Sequence, residues 1–144
     1  MTDRQEWLSL LATSGPQMLA TLWAATGLAP DYVMLRKAET GSVMVRGRAG
    51  SVGKAFNLGE MTVTRASLRL ADGTVGYGWC QGRDRKQAET AALLDALMQG
   101  PDAARLEKAV LGPLRDARAA RRRSRAEKAA ATKVDFFTMA RGDD

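Results

Sequence analysis

Apolar positions along the chain follow two rhythms and then thin out. Near the N-terminus, Trp7, Leu8, Leu10 and Leu11, and then Met18, Leu19, Leu22 and Trp23, recur at helical spacing. Thr2 with Gln5 reads as a capping pair for the first helix. Gly15-Pro16 ends that helix and starts the second, which stops at Gly27 before a turn at Pro30 and Asp31. The pattern predicts a helical hairpin packed on another layer.

From residue 32 the period shortens to two. Residues 32–38 and 42–48 read as strands about a turn at Glu39-Thr40-Gly41, and 49–58 as a glycine-containing loop. Residues 61–70 alternate cleanly, Asp72-Gly73 is a two-residue hairpin signal, and 74–81 is the return strand. A two-residue turn pairs Leu70 with Val75, Leu68 with Tyr77 and Ala66 with Trp79 on a core face. The opposite face then pairs Arg69 with Gly76, Ser67 with Gly78 and Arg65 with Cys80. Two long cations beside residues without side chains make a thin basic surface, open to a partner or an anion. An ordinary solvated outer face fits the same alternation.

Helical spacing returns after Gly82. Asp84 is positioned to cap a helix with Gln87 three residues on, and Ala91, Leu94 and Met98 form its buried stripe as far as Gln99. Gly100-Pro101 ends it. Leu106, Val110 and Leu114 suggest a further helix, kinked or interrupted at Gly112-Pro113, followed by a basic, alanine-rich helix and an apolar tail. The predicted fold class is α+β: an N-terminal helical hairpin, a four-stranded antiparallel sheet, and C-terminal helices with an extended tail. The expected division is a core domain over 1–112 and a basic helix with a docking tail over 113–144.

Composition narrows the chemistry. The 144 residues are 45% hydrophobic, enough for one compact core. There is no histidine and one cysteine, Cys80. Ser-His-Asp and Cys-His catalysis are therefore impossible within the chain, as are an internal disulfide and a thiolate metal site. No catalytic residue and no metal ligand is assigned. No apolar run is long enough to span a bilayer and the first residues are too polar for a signal peptide, so a cytoplasmic protein without membrane contact is expected.

Charge is unevenly placed. Residues 114–133 carry eight basic and two acidic side chains, whereas the remainder holds fourteen of each sign. A local patch of this kind points to a local acidic partner. Arg118, Arg121 and Arg125 lie on one stripe of the basic helix. RNA binding is one reading of that stripe, but no interleaved aromatics are there to stack bases; an acidic protein groove and plain solvation are the others. Gly82-Arg83-Asp84-Arg85-Lys86 sits at a helix N-terminus that favours anions, although Asp84 competes for the same amides. Gly50-Ser51-Val52-Gly53-Lys54 offers amides and a cation without the full spacing of a phosphate loop. Arg65, Arg69, Arg83, Arg85 and Lys54 are the ligand or partner surface so defined. Phe136, Phe137 and Met139, near the C-terminus after a hydrophilic helix, are expected to join Arg118, Arg121 and Arg125 in docking a partner.

The block 64–84, with Leu68-Arg69-Leu70-Ala71-Asp72-Gly73-Thr74 and Gly76-Tyr77-Gly78-Trp79-Cys80 at its centre, closely resembles the PhnG family of phosphonate metabolism. Ala38-Glu39-Thr40-Gly41, Ala88-Glu89, Leu94-Asp95-Ala96-Leu97-Met98 and the tail Val134-Asp135-Phe136-Phe137-Thr138-Met139 share the resemblance, so it covers nearly the whole chain. The resemblance implies a subunit of the carbon–phosphorus lyase core complex, with two copies in a twofold-symmetric assembly with PhnI, PhnH and PhnJ subunits, and PhnL in reach. It implies support for making α-D-ribose 1-methylphosphonate 5-triphosphate, a step in which methylphosphonate displaces adenine from MgATP. MgATP is then the substrate of the complex, with no cofactor held by this chain. A non-catalytic assembly role and an accessory role lending cations to the triphosphate site both follow from it, with RNA binding a distant third.

Overall fold

The computed structural model describes the backbone of residues 3–48 and 53–141, and the side chains of these up to 133. The chain divides into two units, Met1–Leu114 and Arg115–Asp144. The first unit holds the helices α1 (Arg4–Thr13) and α2 (Pro16–Ala25), the strands β1 (Tyr32–Arg48), β2 (Ala55–Leu70) and β3 (Val75–Gln81), and the helices α3 (Arg85–Met98) and α4 (Ala103–Leu106). A π-helical stretch, Glu107–Leu111, follows α4 and leads into α5 (Gly112–Arg141).

The sheet has three antiparallel strands in the order β1-β2-β3, not four. The expected turn at Glu39-Thr40-Gly41 does not form. These residues continue β1 and pair with Arg65, Thr64 and Val63 of β2. Their side chains explain why: Glu39 is held by Arg65, and the Thr40 and Thr64 hydroxyls meet at 2.9 Å. Thr64 donates its one proton to the Gly82 carbonyl, so Thr40 is the donor of that pair. The bend that the glycine suggested is taken up by register irregularities between Met34 and Glu39. Residues 55–58, expected in a loop, belong to β2, and Ala55, Phe56 and Asn57 pair with β1.

The β2–β3 turn holds three residues rather than two. The Leu70 amide donates to the Thr74 carbonyl, the Gly73 amide to the Leu70 carbonyl, and Gly73 has φ +93°. The register is therefore one residue away from the expected one: Arg69 faces Val75, Leu68 faces Gly76, Ser67 faces Tyr77, Ala66 faces Gly78 and Arg65 faces Trp79. A one-residue slip exchanges the two faces. Leu68, Ala66 and Cys80 are core, while Tyr77 and Trp79 stand outside with Arg65 and Arg69. The thin basic face of glycines and arginines does not exist.

Gly76 and Gly78 instead lie under α3. A Cβ on Gly76 would land on the Ala92 carbonyl oxygen, and one on Gly78 on the Ala88 carbonyl oxygen. The small residues Ala88, Ala92 and Ala96 complete this close approach of helix to strand. Nearly all of α3 is buried, not only the predicted stripe, because the sheet covers one side and α1, α2 and α4 pack on others. Asp84 caps α3 by accepting the Gln87 amide at 2.8 Å, as the sequence predicts.

Two terminal features also differ. The N-cap of α1 is Asp3, which accepts the Glu6 amide; Thr2 lies outside the described residues. At the other end the interruption precedes Gly112: the irregular turn is the π-helical stretch, and Leu106, Val110 and Leu114 are all buried. The extended tail is replaced by helix. The backbone of α5 runs unbroken to Arg141, since no glycine or proline occurs between Pro113 and Gly142.

Candidate partner interface

The outer face of the sheet is built from alternate positions of three strands. Val33 stands opposite Arg69, Glu39 opposite Arg65, Ser67 opposite Tyr77, and Arg65 also opposite Trp79. Tyr77 is 51% exposed and Trp79 42%. Among the described residues, every exposed large apolar side chain stands on these three strands. Such concentration on one element marks an interaction surface rather than scattered surface hydrophobics.

Cations frame the two aromatics. The Arg4 guanidinium lies 5.7 Å from the Tyr77 ring centre, and that of Arg65 lies 5.9 Å from the Trp79 ring. Arg65 is not a free cation. Its Nε donates to Glu39 Oε1 at 2.7 Å, and Arg36 Nη1 donates to the same oxygen at 2.6 Å. The Arg65 and Arg36 hydrogen bonds hold the Glu39 carboxyl below its usual range. Beside this network Glu39, Gly41, Val43, Val63, Arg65 and Trp79 line a shallow depression of about 270 Å³.

Beneath the face lies a buried polar node that the sequence reading missed. Asp95, in the middle of α3, is fully buried. It accepts Arg4 Nε at 3.1 Å, Arg4 Nη2 at 2.8 Å, the Trp7 indole N–H at 2.8 Å and the Tyr77 amide at 2.8 Å. The hydrogen bonds that Arg4 donates to the Asp95 carboxylate raise the pKa of Arg4 further. The Tyr77 amide belongs to the free edge of β3, and Gln99 Nε2 donates to the Val75 carbonyl on that same edge. α3 thus satisfies part of an edge strand and fixes where the Tyr77 ring stands. The signal was present: one carboxylate inside the run Ala91-Ala92-Leu93-Leu94-Asp95-Ala96-Leu97-Met98 requires a buried partner.

The predicted site residues are only partly brought together. Arg65 and Arg69 share the outer face, and both are exposed. Arg83, in the turn before α3, and Arg85, the first residue of α3, are exposed at the helix that packs on the opposite face, where Asp84 already takes the Gln87 amide. Lys54 is exposed just before β2, while Gly50-Ser51-Val52 lie outside the described residues. The unbroken helix places Arg118, Arg121 and Arg125 on one side of α5. The side chains of Phe136, Phe137 and Met139 lie outside the described residues. Cys80 is buried, and burial pushes its thiol pKa up, which makes it a poor nucleophile. Among the described residues no group of acidic or sulfur side chains could hold a metal ion, and no helix is long and apolar enough to cross a membrane.

Fold and surface together define a small α+β protein whose distinctive feature is an exposed, aromatic and cationic sheet face. The chain belongs to the PhnG family: the family described as "Phosphonate metabolism protein PhnG" matches residues 2–142. It is similar to the α-D-ribose 1-methylphosphonate 5-triphosphate synthase subunit PhnG of Rhizobium meliloti (strain 1021). The two are 43% identical over 148 aligned positions, which cover 100% of this chain and 92% of that protein.

Proposed function

We propose that this chain is a non-catalytic subunit of an α-D-ribose 1-methylphosphonate 5-triphosphate synthase in phosphonate breakdown. The observation that carries the reading is the whole-chain similarity to a protein named as that subunit. The complex uses MgATP and methylphosphonate as substrates, in the cytoplasm, and its other members are PhnI, PhnH and PhnJ subunits, with PhnL associating. Two copies of this chain sit in a twofold-symmetric assembly.

The outer sheet face supports the subunit role. Tyr77 and Trp79, framed by arginines, have the composition of interface anchors. Burying an exposed large apolar side chain gains roughly 1.5–3 kcal/mol. A second contact runs along α5, with Arg118, Arg121 and Arg125 on an acidic surface of the larger subunit and Phe136, Phe137 and Met139 seated beyond them. Arg69 borders the first contact, whereas Arg83 and Arg85, at the start of α3, would meet a partner separately.

Co-expression of the tagged chain with the PhnI-type subunit tests the reading. The expected result is recovery of both at fixed stoichiometry after size exclusion. Recovery of this chain alone, under conditions where both are folded, contradicts it.

A further inference from the structure

The β1–β2 hairpin outlasts the rest of the sheet. β3 ends at Gln81, opposite Val63, whereas β1 and β2 run on together to Arg48 and Ala55. Beyond Val63 the pair is a two-stranded ribbon. Such a ribbon is marginally stable in water unless another layer covers it. Here both faces are open: Val43 and Met44 are successive residues, point to opposite sides, and are both exposed. Phe56 is exposed as well, and β2 is exposed throughout from Ala55 to Glu60.

One residue is set outward with particular care. Val45 pairs with Gly59 and Arg46 with Asn57, so Leu58 is the extra residue of a β-bulge. Gly59 has φ +153°, a conformation suited to glycine. A Cβ on Gly47 would collide with the Leu58 side chain, so Gly47 leaves the room across which Leu58 lies. The bulge and two glycines thus set a leucine that remains 62% exposed. The polar residues of the ribbon give its charge: Arg46, Arg48 and Lys54 against Glu60.

We infer that this ribbon is a docking arm for a different protein, one that offers an apolar groove rimmed by carboxylates. The inference rests on the reading of the chain as a subunit of an assembly. Charge selects the occupant. A second copy would set the three cations of one arm against those of another, whereas an acidic rim matches them. Phe56 is the one aromatic on the ribbon, so base stacking does not explain it. Leu58, Phe56 and Val43, on the face that carries Gly47, are the anchors, and Arg46, Arg48 and Lys54 the rim contacts.

The full-length chain is mixed with the other synthase subunits, and amide hydrogen exchange is followed in free and bound states. Slowed exchange over 41–48 and 55–60 is expected. The double variant Phe56→Asp, Leu58→Asp should keep the thermal stability of the free chain and bind the subunits about 30-fold more weakly. The triple variant Arg46→Glu, Arg48→Glu, Lys54→Glu should also bind more weakly, and wild-type affinity should fall as salt rises. Binding with unprotected arm amides, or undiminished binding by both variants, overturns the arm while leaving the subunit reading intact. Affinity indifferent to salt and to the charge reversals overturns the acidic groove. Self-association of the free chain that the Asp variant abolishes assigns the arm to a second copy instead. If the wild-type chain binds none of the subunits, the subunit reading falls and the arm falls with it.

Discussion

The indole N–H of Trp7 donates to the carboxylate of Asp95 at 2.8 Å, across 88 positions of sequence, and ties the first helix to the central one. The same carboxylate holds Arg4 and the edge amide of Tyr77. Asp95 therefore sets three elements at once, among them the strand that carries Tyr77 and Trp79 outward. Asp95→Ala leaves the indole and the edge amide unpaired in the interior. A loss of about 2–4 kcal/mol is expected by urea unfolding. Trp7→Phe removes one donor and should cost about 1–2 kcal/mol. An Asp95→Ala chain as stable as wild type would show that the node is not structural.

Gly76→Ala and Gly78→Ala test the register directly. In each case the new methyl meets backbone of α3, which has nowhere to move. Destabilisation of about 3 kcal/mol or failure to fold is expected by thermal melting. Had the hairpin followed the two-residue turn, both glycines would face outward and both changes would be nearly neutral.

That contrast shows what the sequence could carry. Helix limits were legible where chemistry is local: the Gly15-Pro16 junction, the Asp84 cap and the Gly100-Pro101 stop are all present. The hairpin was legible as a hairpin, but Asp72-Gly73 fits both a two- and a three-residue turn. That single choice decides which side of the sheet is core. Leu68 and Ala66 were placed in the core either way, because the β2 pattern fixes its own face. Tyr77 and Trp79 were misplaced because a two-residue turn sets them opposite Leu68 and Ala66, and the glycines packing on Ala88 and Ala92 reverse this. The continuity of β1 through Gly41 depends on partners more than twenty residues away, which no local signal reports.

Cys80 gives the pH dependence. Burial raises its folded-state pKa, so the native thiol holds its proton where the unfolded one, near about 8.5, has lost it. Its contribution to stability is fully present below that value and is lost as pH rises through the folded-state pKa. Melting temperatures between pH 7.5 and 9.5 should therefore fall less in Cys80→Ala than in wild type. Identical slopes would rule out the linkage. Alkylation of the native thiol at pH 8 should also be far slower than in urea.

Deletion of residues 134–144 should leave Met1–Leu114 folded with its sheet intact, because the core residues up to Leu114 are untouched. Circular dichroism should show a shortened helix and an unchanged cooperative transition. Retention by the larger subunits in a pull-down at low protein concentration should drop. Full retention would remove the C-terminal helix end from the contact.

The proposed role has this chain contribute to the synthase only as part of the assembly. The most direct measurement is adenine release from MgATP with methylphosphonate, run with this chain alone, with the other subunits alone, and with all together. Release is expected only from the complete set, with none from this chain by itself. Release by the purified chain alone that survives further purification, or full activity of the other subunits without it, would overturn the subunit role.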